Sequence, residues 1–169
     1  RNLGTTQQIP TDDRHTLSGA YLRATICGLM GGRVAEKLKL NRLSSGAGED
    51  FERAATLARK MVTEWGMSKD LGPLSYGKGA EQIFLGKEIA QHRDYSDATA
   101  AEIDREVEKI VMSGYDEARR ILEERTETLT RIAEALLLHE TLTADQIATL
   151  VRGEELQPTA EPSTDGEKQ

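Results

Sequence analysis

The sequence predicts a mainly α-helical domain, opened by a short N-terminal strand and closed by a helical bundle at its C-terminal end. Apolar residues recur at spacings of three and four in several separate segments, the signature of helices with one buried face. Aromatic residues make up only 4% of the chain, so Ala and Leu carry much of the apolar content, a balance that favours packed helices over a β-sandwich. Glycines and Pro73 punctuate one central segment, 68–86, and leave room there only for short strands or turns.

The elements follow in order. Asn2 to Ile9 is rich in Thr and ends at Pro10, which reads as one short strand that needs a pairing partner. A first helix starts near Leu17 and places Leu22, Ile26, Leu29, Met30, Ala35 and Leu38 on one stripe. Gly31 and Gly32 lie inside it, where each costs about 1 kcal/mol relative to Ala. They imply either close approach of another backbone or a break into two helices. A second helix follows the loop Asn41–Gly48, with Phe51, Ala54, Leu57, Ala58, Met61, Val62 and Trp65 as its apolar stripe and Gly66 as its stop. A long third helix begins after Asp94 with Ser96 as N-cap, runs through Ile103, Val107, Ile110, Val111, Ala118, Ile121 and Leu122, and ends near Arg125. A further helix carries Leu129, Ile132, Ala133, Leu136 and Leu137. Thr143 to Gln146 then has the capping-box form before Ile147, Leu150 and Val151. The domain is expected to span 1–152. The tail, 153–169, has too few apolar residues to bury and is expected to be disordered.

Composition and local spacing exclude several chemistries. A formal net charge of -7 is the wrong sign for a nucleic-acid footprint, so nucleic acid is not the expected partner. The single cysteine, Cys27, sits in the apolar run "ATICGLM" and reads as a buried thiol rather than a nucleophile. No stretch approaches the roughly 18 consecutive apolar residues of a membrane span. The glycine-broken loop "SSGAGED" lacks the lysine of a phosphate cradle, and its acids would repel phosphate. No Gly-x-Ser-x-Gly elbow is present.

His15, His92 and His139 are far apart in sequence, and the first two lie in polar segments. His139-Glu140 looks like the first half of a zinc-binding HExxH helix, but Thr143 stands where the second histidine is needed. The residue left to explain is Asp50. It sits where the loop turns into the second helix, a place where an acid is favourable simply because unpaired amides and the peptide dipoles leave positive charge there. Glu49 and Glu52 share that explanation.

The blocks "LGTTQQIPTDDRH", "LMGGRVAEKL", "SSGAGEDFERAATLARKMVTEWGMS", "LGPLSYG", "FLGKEIAQHRDYSDATAAEIDREV" and "LLLHETLTADQI", in this order over residues 3–150, closely resemble the C-terminal peptidase domain of the FtsH family, membrane-anchored ATP-dependent AAA+ zinc metalloproteases. The resemblance implies zinc as the cofactor of the intact enzyme, with ATP and Mg handled by an AAA+ domain upstream. It implies protein substrates, assembly as a homo-hexamer, and attachment to a membrane through an upstream segment with this domain on the cytoplasmic side or its organellar equivalent. Asp50 falls on the family's third zinc ligand. Leu3, Gly4, Thr5, Thr6 and Gln7 fall on the strand near the cleft, where an extended substrate could add as a neighbouring strand. The family's HExxH helix lies upstream of that strand, and the chain opens at Arg1 without an initiator Met. The expectation is therefore a piece of a longer protease that does not hydrolyse peptides alone. The alternative is a non-catalytic binding or assembly module that has lost the HExxH motif.

Overall fold

A computed structural model describes residue 6 and residues 16–41, 44–76 and 95–156, and five α-helices occur among these described residues. They are α1 (Gly19–Leu40), α2 (Gly48–Thr63), α3 (Asp97–Glu124), α4 (Thr126–His139) and α5 (Ala144–Arg152), with a 3-10 turn at Ser45–Ala47 leading directly into α2. The mainly α-helical class is as expected. No strand occurs among the described residues, and the expected Asn2–Ile9 strand lies outside them except for Thr6, which is exposed. The tail lies outside the described residues from 157 onward.

The chain divides into two compact units, Arg1–Arg120 and Ile121–Gln169. In the first, α1 starts at Gly19, two residues later than expected, because the Ser18 side chain accepts the Tyr21 amide and caps the helix. Its buried residues are Leu22, Ile26, Met30 and Val34, a strict run of one every four positions. Leu38, the next position in that series, lies in the last turn and is 38% exposed. From α2 come Ala54, Ala58, Met61 and Val62, each fully buried, and from α3 Ile103, Val107, Ile110 and Ala118. Ser96 caps α3 by accepting the Thr99 amide at 3.2 Å.

The double glycine of α1 does not break the helix, and no close backbone approach to it occurs among the described residues. The helix runs unbroken through Gly31 and Gly32, and a Cβ on either would meet no described residue within 4 Å. The close approach is made instead by Gly114 of α3, where a Cβ would lie 2.7 Å from Ile26 Cγ2 and 3.3 Å from the Cys27 backbone nitrogen. Only a hydrogen fits there. Cys27 is half-buried rather than buried, and desolvation, with the nearby Glu117 carboxylate, pushes its thiol pKa up.

Past α2, Gly66 adopts φ +59°, and a Cβ there would meet Pro73 Cα at 3.0 Å, so the stop requires glycine twice over. The chain then folds back, the Tyr76 amide bonding to the Thr63 carbonyl at 2.7 Å. Glu106, buried on α3, fastens this return: Ser68 Oγ donates to it at 2.7 Å, and Lys109 bridges it to Asp70 at 3.1 and 3.0 Å. That bridge holds the Asp70 carboxyl below its ordinary pKa and the Lys109 ammonium above it.

In the second unit α4 and α5 pair, and Arg131 Nη1 donates to the Leu150 carbonyl at 2.7 Å. The expected capping box is present: the Thr143 amide donates to Gln146 Oε1 at 2.8 Å and the Gln146 amide to Thr143 Oγ1 at 3.3 Å. Gly153, at φ +88°, ends α5. Among the described residues, no helix is long and apolar enough to cross a membrane.

Candidate metal-ligand site at the start of the second helix

Asp50 occupies the first turn of α2, as the sequence indicates. Ala47, the residue before the helix, is buried and offers no side-chain cap, so the exposed amides of this turn rely on nearby negative charge. Glu49 and Asp50 both supply it, but they are placed differently. Glu49 is exposed, whereas Asp50 is half-buried and has no hydrogen-bond or ion-pair partner among the described residues. A helix start needs a nearby carboxylate; it does not need one held half-buried with its oxygens uncommitted.

The approach to this turn is built from α1. Arg33 Nη2 donates to the Ser44 carbonyl at 2.8 Å, and its guanidinium carbon lies 5.0 Å from the centroid of the Phe51 ring, within cation–π range. Glu36, one turn further along, accepts the Ser44 hydroxyl at 2.5 Å and the Ser44 amide at 3.4 Å. The Ser44 hydroxyl in turn accepts the Gly46 amide at 3.2 Å and opens the 3-10 turn. These bonds from Ser44 lower the Glu36 pKa from its ordinary value, and Arg33, 4.0 Å away, adds to the effect. The Arg33 Nε is buried and has no hydrogen-bond partner among the described residues. Such a donor is costly, so the side chain is held by what its other end grips.

The other sequence candidates separate from this site. His15 and His92 lie outside the described residues, as do Leu3, Gly4, Thr5 and Gln7; Thr6 is exposed. α4 ends at His139, and Glu140 takes φ 61°, so the two residues do not continue a helix towards Thr143 and the HExxH likeness fails on geometry as well as on sequence. No group of three or more His, Cys, Asp or Glu that could hold a metal occurs among the described residues. A shallow depression of about 370 Å³, lined by Thr25, Leu29, Glu52, Arg53, Thr56, Leu57 and Lys60, does not include Asp50. Sequence reasoning missed Arg33, Glu36 and Ser44. The Arg-x-x-Glu spacing on a helix was visible, but its partner across the loop was not.

What the fold and this site define is a helical domain that presents a half-buried carboxylate, uncommitted among the described residues, an oxygen donor of the kind zinc accepts beside histidine nitrogens. The model of peptidase family M41 matches residues 1–150, and the chain belongs to that family. It is 48% identical over 156 residues to the ATP-dependent zinc metalloprotease FtsH of Acidobacterium capsulatum, covering 92% of this chain and 24% of the relative. Against the protein of the same name from Magnetococcus marinus it is 48% identical over 162 residues, 96% of this chain and 24% of the relative. The Pseudothermotoga lettingae FtsH is 45% identical over 154 residues, 91% and 25% respectively. The chain thus spans about a quarter of the length of these relatives.

Proposed function

We propose that this chain is the part of an ATP-dependent zinc metalloendopeptidase that supplies the third zinc ligand, Asp50, and the helical scaffold that holds it. The observation that carries the reading is the half-buried Asp50 carboxylate, uncommitted among the described residues, in a chain of peptidase family M41. A zinc ion bound there would supply Lewis-acid activation of water and of the scissile carbonyl. Asp50 would hold it through a carboxylate oxygen, with the first turn of α2 fixing the direction of approach. The histidine ligands and the general-base glutamate would come from a segment of the intact protein preceding Leu3. Leu3, Gly4, Thr5, Thr6 and Gln7 would pair with an extended substrate as an added strand. The domain would run over 1–152, and 153–169 would be its tail.

The substrates in this reading are membrane proteins and misfolded cytosolic proteins. ATP and Mg act at a separate AAA+ domain, and the working assembly is a membrane-attached homo-hexamer. The test is Asp50→Ala in the intact enzyme. Proteolysis of an unfolded protein should fall to background and bound zinc should be lost, while ATP hydrolysis continues. Proteolysis at the parental rate with one zinc per subunit would remove Asp50 from the ligand set.

A further inference from the structure

Asp50 has no bond of its own among the described residues to aim it, so its direction must come from how the start of α2 is held. Two side chains on consecutive turns of α1 do this from opposite ends of one residue. Glu36 takes the amide and hydroxyl of Ser44, and Arg33 takes its carbonyl. The hydroxyl passes the restraint on, because it also accepts the Gly46 amide and so fixes the 3-10 turn that runs without a break into Gly48 and α2. Beyond Asp50, the same Arg33 lies against the ring of Phe51. The ligand-bearing turn is therefore pinned before and after Asp50 by one pair of α1 residues. Both side chains are partly shielded from water, 14% and 28% exposed, and each is fixed by its bonds to Ser44 more than by the 4.0 Å ion pair between them.

We infer that Arg33 and Glu36 are positioning residues for the metal site: by clamping Ser44 and Phe51 they fix the direction in which Asp50 presents its carboxylate. The inference rests on the ligand role proposed for Asp50. Groups that orient a metal ligand without touching the metal change metal affinity by roughly 10- to 100-fold when removed. A lysine cannot replace Arg33, since a single ammonium cannot reproduce both the bond to the Ser44 carbonyl and the contact with the Phe51 ring.

The experiment measures the zinc dissociation constant of the intact enzyme by competition with a chromophoric chelator. The variants are Arg33→Met, Arg33→Lys, Glu36→Ala and Ser44→Ala, with Asp50→Ala as reference. Helix content and ATP hydrolysis are followed in parallel. The expected result is zinc binding weakened roughly 10- to 100-fold in Arg33→Met and Glu36→Ala with both parallel readouts unchanged. Arg33→Lys should fail to rescue. Ser44→Ala, which deletes the hydroxyl but keeps the carbonyl bond to Arg33, should lose less. Parental zinc affinity in the folded clamp variants, with affinity lost in Asp50→Ala, overturns the clamp and leaves the ligand role standing. Parental affinity in Asp50→Ala overturns both. Should the Arg33 and Glu36 variants fail to fold, Ser44→Ala decides the matter, since it removes one hydroxyl from an exposed residue.

Discussion

The two units of the chain are both helical, yet they are stabilised in different ways. In the first, Leu22, Ile26, Met30, Val34, Met61, Val62 and Ile103 are at most 1% exposed, and three helices contribute to one core. In the second, α4 has no buried residue, Leu150 of α5 is the buried apolar side chain among the described residues, and Leu137 and Leu138 are 86% and 77% exposed. The first unit owes its order to tertiary burial; the second owes more to end caps and to the Arg131–Leu150 bond. Asp50 belongs to the first. A side chain that must present a ligand in one direction is best carried by a helix that is itself immobilised by packing.

The contrast can be tested from its strongest point downward. Ile26→Ala empties a site with no solvent exposure and should destabilise the chain by about 2–5 kcal/mol in urea unfolding. A loss below 1 kcal/mol would mean that the first unit lacks a tightly packed core. Gly114→Ala pits a gain of about 1 kcal/mol in helix propensity against overpacking worth about 1–3 kcal/mol. Because two of the three nearest atoms are backbone, the clash should win and the net loss should be on the order of 1 kcal/mol. Thr143→Ala removes the capping box of α5 and should cost about 1 kcal/mol, read as faster amide exchange confined to the second unit. Leu138→Ser should change stability by less than about 0.5 kcal/mol, since the side chain is already in water. A larger loss would show that something covers it in the folded protein.

Much of this organisation was legible in the sequence, and the failures have a common physical cause. Helical period, the Ser96 and Thr143 caps and the Gly66 stop are local properties, set by residues within one or two turns of each other, and they appear where expected. Asp50 could be placed at a helix start for the same reason. The purpose of Gly31 and Gly32 could not be read locally because a glycine's use depends on what faces it, and none of the described residues does. Gly114 went unnoticed because its meaning lies in Ile26, on another helix. The clamp of Arg33 and Glu36 on Ser44 was hidden likewise, since it closes a loop whose sequence does not say where its ends meet.

The return of the chain after α2 has a practical consequence. Trp65 is the molecule's single tryptophan, it stands 41% exposed between the last turn of α2 and the obligatory glycine, and the backbone on its C-terminal side is tied back to Thr63 through Tyr76. The intrinsic fluorescence of this chain is therefore a local signal from the far end of the helix that bears Asp50. A shift of its emission maximum on adding a ligand or metal would report, without any label, that an event at one tip of α2 had been felt at the other.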